Sequence, residues 1–361
     1  LFSKFFSGER TMFFTFVFVL RPVSNCSICI YLFVGIIRVS QYYNLKNMNI
    51  RLAKFKDLVP SSLPFVEGKL DGHKERKNYS ILGPGVAEDA SQSIKILDPH
   101  GFNLGAVSAK PFNGSGLHSH LTAEVFIIYS GKWRFYWGSE GKDETILYPG
   151  DIISMPTNMF RAFENAGDEE GLIFVVLGGD DPGIVTWVPE VLEKAKKTGM
   201  ALLDDNSLID LNNKEIPNGR RLLDPISSEE IKKFDNYRLD QLQGNICNFS
   251  NRMQNEIDIG DNIKVSHILG NTFQNKSINP IIKQDTGFCL STFKSMKGRV
   301  ENLIFDKPTI LFSQNGKWKI EMENSSNEIN FKDTLSVPVG VNINIEINEI
   351  ENSYLNCVSS I

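Results

Sequence analysis

The sequence predicts an all-β protein built from two tandem β domains with a helical connector between them. Two patterns point there. From Ser93 to Gly179, short apolar runs alternate with Gly, Asn, Asp and Pro, the rhythm of strands broken by turns. From about Asn245 that rhythm returns as a diverged copy. Gly131-Lys-Trp is echoed by Gly316-Lys-Trp, Gly101-Phe-Asn-Leu by Gly287-Phe-Cys-Leu, and Met155-Pro156-Thr-Asn158 by Val337-Pro338-Val-Gly340. The order and approximate spacing are kept, which is the signature of an internal repeat.

Length and composition agree with this. The chain has 361 residues, 41% hydrophobic and 22% charged, ordinary for a globular protein with room for two cores. A net charge of -5 leaves no basic stripe for nucleic acid. Five scattered cysteines form no disulfide framework and suggest a reducing, cytoplasmic setting. Cys26-x-x-Cys29 has no second pair to complete a zinc site.

Residues 1–47 do not match the rest. They hold one acid, Glu9, and eight of the 25 phenylalanines. The apolar runs Met12–Leu20 and Cys26–Ile37 are separated by Arg21-Pro22, and each falls short of the roughly 18–20 residues that span a bilayer. Normal composition begins at Met48. The segment reads as an upstream, non-native leader, the alternative being a membrane anchor. Residues 48–92 are polar and turn-rich, an arm expected to wrap around the first β domain. That domain spans residues 93–180, with strands ending at Ser130-Gly131, Gly138, Pro156 and Gly178-Gly179.

In 181–244, Pro189–Lys197 has a proline in its first turn, an apolar Val191/Leu192/Ala195 side and lysines near its end, so it reads as a helix. Ser227 followed by Glu229 and Glu230 marks a second helix start. Residues 245–361 form the second β domain.

The chemistry centres on His118, His120 and Glu124, an H-x-H-x3-E cluster. Side chains two residues apart on a strand share a face, and Glu124 can return to it. Two imidazoles and a carboxylate suit a divalent metal, Fe(II) or Mn(II), with positions left open for substrate or oxygen. Aligned on Gly-Lys-Trp, the second copy carries Leu303, Phe305 and Thr309 at these places, so it lacks ligands.

These residues resemble the cupin superfamily, specifically a bicupin. Its first motif runs G-x5-H-x-H-x3,4-E-x6-G, and the chain supplies His118, His120, Glu124 and Gly131, with Phe112 in place of the opening glycine. Its second runs G-x5-P-x-G-x2-H-x3-N, matched by Gly150, Pro156, Asn158, Arg161 and Asn165. Asparagine for glycine is mild, because it tolerates a left-handed turn. The resemblance implies two jelly-roll barrels with the metal inside the first. It also implies a superfamily ranging from dioxygenases, decarboxylases, isomerases and lyases to binding proteins without turnover.

Arg161 stands where the family places its last histidine ligand, and a guanidinium offers only donors. Three readings stay open. His118, His120 and Glu124 hold the metal while Arg161 clamps a substrate anion and serves catalysis. Alternatively Arg161 pairs with Glu124, or another histidine (His100, His73 or His267) completes the shell. With Glu124 inward, Phe126 and Ile128 would line the cavity. Val125, Ile127 and Tyr129 would face out and need cover, from the second barrel or a twin subunit in a homodimer.

Trp133, Phe135 and Trp137 share a face, as core or as an aromatic wall, and Met155, Phe160 and Phe163 beside Arg161 divide likewise. The expected substrate contacts are Arg161, Phe126, Ile128, Trp133 and Phe163. Gly178–Gly183 lacks the lysine of a phosphate loop, Asp180 and Asp181 read as turn residues, and no G-x-S-x-G elbow occurs. The leading expectation is a metal-dependent dioxygenase acting on a small organic acid or aromatic compound. The alternatives are a carboxylate or sugar binder without turnover and a metal-assisted lyase or isomerase. No nucleic-acid partner is expected, nor a membrane unless 1–47 is genuine.

Overall fold

The first barrel closes two antiparallel layers over one apolar interior. One layer holds, in order, Ile246–Cys247, Ile152–Met155, Glu124–Ser130, Gly171–Gly178, Phe102–Ala109, Arg76–Leu82 and Ile94–Ile96, the last pair parallel. The other holds Thr186–Trp187, His118–Ser119, Arg161–Asn165, Trp133–Trp137 and Asp143–Leu147. This computed structural model describes residues 51–270, 279–322 and 325–361, with only the backbone of 272–273 and 276–277 between the first two. The leader and the Cys26/Cys29 pair lie outside the described residues.

Strand alternation decides which side chains reach the interior. From Glu124–Ser130, Phe126 and Ile128 pack inward with Phe135, Phe163 and Val175. Val125, Ile127 and Tyr129 point the other way, into a core shared with Phe288, Leu290, Ile310 and Phe312 of the second barrel. The strand is apolar on both faces because both are covered within the chain.

The second barrel is a nine-stranded sheet dominated by two long strands, Phe288–Ile304 and Asn342–Ser360, whose pairing breaks register twice. Leu303, Phe305 and Thr309 are buried, the first two in its apolar core. This barrel is filled where the first carries its polar cluster.

Strand pairing crosses the boundaries expected at 93 and 245. Arg76–Leu82, from the arm, pairs with Phe102–Ala109 inside the first barrel's sheet. Leu52–Ala53 pairs with Thr334–Val337 of the second barrel, and Ile246–Cys247 with Ile152–Met155 of the first. Each covers a row of backbone groups that would otherwise be an open sheet edge. The connector carries the helix Pro189–Lys197, a small hairpin of Met200–Leu202 and Leu208–Asp210, and Ser228–Ile231. Ser227 caps this last helix reciprocally with Glu230. The connector then closes the barrel: Trp137 Nε1 donates to Tyr237 O at 2.7 Å, and Leu242 joins the first barrel's core.

Candidate metal centre

His118 is anchored on both sides, its backbone pairing with Arg161 and with Trp187. His120 lies just past the end of that strand, and Glu124 opens the next. One ligand atom from each of the three side chains lies within 4.8 Å of the other two, and all three residues are buried. Their surroundings fix the protonation states. His118 Nδ1 lies 2.9 Å from Gly116 O and His120 Nδ1 3.1 Å from Thr122 O. A carbonyl only accepts, so His118 Nδ1 carries the proton and its Nε2 keeps a lone pair; His120 Nδ1 also lies 3.0 Å from the donor Arg161 Nη2, so its carbonyl contact does not fix its tautomer. Carbonyls placed this way set the ligating tautomer in metal sites.

Burial pushes the His118 imidazole down to about 4 and lowers His120 as well, so both are neutral at pH 7. Burial acts to raise Glu124, but His120 and Arg161 beside it outweigh burial and hold the carboxyl down to about 2. Neutral imidazoles and an ionised carboxylate are the forms that bind a divalent cation.

His120 Nε2 lies 3.2 Å from Glu124 Oε2, a hydrogen bond when Nε2 carries the proton and acceptor against acceptor when it does not. Arg161 lies against both groups. Its Nε donates to Glu124 Oε2 at 3.2 Å, Nη2 lies 2.9 Å from His120 Nε2 and 3.0 Å from Nδ1 of the same ring, and Nη1 donates to Met159 O at 2.8 Å. The donor set fits a divalent metal held by three residues, with Arg161 competing for the same two atoms.

A cavity of about 80 Å³ adjoins the cluster, its lining including His118, Glu124, Phe126, Phe163 and Trp187. Arg161 is 1% exposed and does not line it, its donors facing Glu124, His120 and Met159. Ile128 and Trp133 do not line it either. Both are fully buried deeper in the barrel, and Trp133 Nε1 donates to Ser130 O at 2.9 Å. Strand parity says which side chains point inward but not how far from the mouth they lie. Of the other histidines, His100 contacts Ser336 Oγ, His267 contacts Ser291 Oγ and His73 contacts Gly114 O, so none joins the cluster.

Sequence reasoning missed Trp187, whose ring centroid lies 5.4 Å from that of His118, and the buried pair Glu67 and Arg76 in the cavity wall. The strand Arg76–Leu82 carried a weak signal, since Arg76, Lys77 and Asn78 are polar in succession and alternation with apolar residues begins only at Tyr79.

A barrel with an H-x-H-x3-E wall, joined to a second barrel with no such cluster among the described residues, has the bicupin fold. Residues 107–177 match the cupin domain family, and the chain has the cupin fold. Among curated proteins it is similar to germin-like protein subfamily 1 member 7 of Arabidopsis thaliana, 25% identical over 131 residues, 32% of this chain and 57% of that protein. The chain thus spans little more than half of that relative. Member 13 of the same subfamily is 22% identical over 169 residues, 41% of this chain and 76% of that one.

Among solved structures, the 7S globulin of Momordica charantia superposes with a TM-score of 0.52 at 13% identity, covering 86% of this chain and 84% of that one. The oxalate decarboxylase of Lactobacillus farciminis, in a formate complex, also gives 0.52 at 13%, covering 86% of each chain. One fold here carries a globulin and a decarboxylase, so function has to be argued from the site. No helix among the described residues is long and apolar enough to cross a membrane.

Proposed function

We propose that the protein is a metal-dependent cupin enzyme, a non-haem dioxygenase acting on a small organic acid, with His118, His120 and Glu124 as ligands. The observation that carries this reading is the buried cluster itself: one ligand atom each from His118, His120 and Glu124 lies within 4.8 Å of the other two, and Gly116 O holds His118 Nδ1–H so that its Nε2 is free to ligate. Bound Fe(II) or Mn(II) would supply a Lewis acid with open positions for substrate and oxygen.

The chain's own residues do the rest. Phe126, Phe163, Val175 and Leu177 wall the cavity with apolar surface and limit the access of bulk water. The size of the space selects the substrate class. A dry cavity of about 150 Å³ is what takes up benzene in an unrelated protein, so about 80 Å³ favours a small acid over an aromatic compound.

A second reading, a carboxylate binder without turnover, is favoured by the Arg161–Glu124 ion pair, which already satisfies the carboxylate. Metal content separates the two. Protein incubated anaerobically with Fe(II) or Mn(II) and desalted should retain about one equivalent by elemental analysis, and His118→Ala should lose it. Oxygen uptake on adding small carboxylates should then require the metal. Retention of no metal by the wild type would leave the binder reading standing.

A further inference from the structure

We propose that Arg76 and Asn78 form the anion-binding face of the cavity beside His118 and Glu124, built for a small hydroxycarboxylate. Arg76 comes from the arm, where no motif lies, and only 2% of it is exposed. Its Nη1 is fully used, donating to Glu67 Oε1 at 2.7 Å and to Gly114 O at 2.8 Å. Glu67 is itself pinned by the Gly116 N–H at 2.7 Å, so the guanidinium is held in one orientation. The Phe65 ring, 5.2 Å from the guanidinium carbon, supports it further.

The Nε and Nη2 atoms of Arg76 are buried and have no hydrogen-bond partner among the described residues. Buried donors left this way are rare and call for a ligand or bridging group. Nε–H and the neighbouring Nη2–H form one edge of the guanidinium, the fork that matches two carboxylate oxygens. Two residues along the same strand, and so on the same face, Asn78 Oδ1 is also buried without a partner. Arg76, Asn78, His118 and Glu124 all line the one cavity.

Two parallel donors and a nearby acceptor describe a carboxylate carrying a hydroxyl: the carboxylate on the Arg76 fork, the hydroxyl donating to Asn78. Arg76 thereby offers a clamp on the cavity wall, whereas Arg161 faces Glu124 and His120. This deepens the small-acid reading and rests on it, but it concerns a different wall of the cavity from the metal ligands.

Calorimetric titration of the full chain with glycolate and with acetate, after chelator treatment, tests it. Metal-free wild type should bind glycolate several-fold more tightly than acetate. R76K keeps a cation opposite Glu67 but lacks the fork. It should lose at least tenfold in affinity for both acids while melting near the wild-type temperature. N78A should erase the preference for glycolate and leave acetate binding unchanged.

Wild-type affinity in a folded R76K, or no binding by the metal-free wild type, would overturn the proposal. Should R76K fail to fold, N78A decides, and an unchanged glycolate preference there counts against it. Loss of binding in R76K together with failure to retain metal would sink the metal reading and leave this one intact.

Discussion

Arg161 turns a familiar ligand set into a contested one. The guanidinium places a positive charge against both Glu124 Oε2 and the His120 ring. Removing it leaves a buried carboxylate unpaired, and breaking such a pair from one side costs about 3–5 kcal/mol. Arg161→Met should therefore unfold at lower denaturant by about that free energy in chelator. Excess Mn(II) should restore much of the loss, because a bound cation replaces the missing charge. Urea melts with and without metal check this, and a loss of stability that metal does not relieve would argue against the three-ligand site. Arg161→His should go further, adding a donor where a competitor stood, and raise metal affinity by at least tenfold in a competition titration with a chelating dye.

Strands and turns show how much the sequence made legible. The two-faced strand Glu124–Ser130 was readable because period 2 sorts its side chains without any tertiary knowledge. Asn158 sits at φ 55°, as its place in the second motif suggested. Cavity depth was not readable, since Ile128 and Trp133 share the inward parity of residues that do line the cavity. The Arg161–Glu124 pair was readable only as one of three alternatives, because choosing among them depends on distances between strands far apart in sequence. Arg76 was missed because its strand is half polar and lies well upstream of both motifs.

One local conflict is itself testable. Phe112 takes the place of the motif glycine at φ 60° and is 70% exposed, so it adopts a left-handed backbone with no packing to offset the strain. A side chain there costs roughly 1–2 kcal/mol, partly cancelled by the greater unfolded-state freedom of glycine. Phe112→Gly should stabilise the protein by up to about 1 kcal/mol in urea unfolding. A destabilised variant would mean that the phenyl ring is held by contacts on the surface.

Joining two barrels back to back makes their stability a shared property. Phe174 stacks on Phe312 of the second barrel at 5.6 Å, and the core around them runs through both. Phe312→Ala should cost about 3–5 kcal/mol and shift both barrels together, in one cooperative transition.

Acid should act on the same shared core. His267, in the strand Lys264–Leu269, is fully buried beside Ser291 Oγ at 2.8 Å, and burial pushes its imidazole down to about 4. His100, whose Nε2 lies 2.9 Å from Ser336 Oγ across the two barrels, is lowered by burial as well. An unfolded histidine titrates near 6.5, so between about pH 6.5 and 4 the unfolded chain binds protons that the folded chain refuses. Stability must therefore fall as pH drops through that window, by up to about 1.4 kcal/mol per pH unit for each such histidine. His267→Asn removes one of these sites and should flatten the slope by close to one proton. Urea midpoints at pH 7, 6 and 5 measure it, and an unchanged slope would mean that His267 takes up its proton without unfolding the barrel.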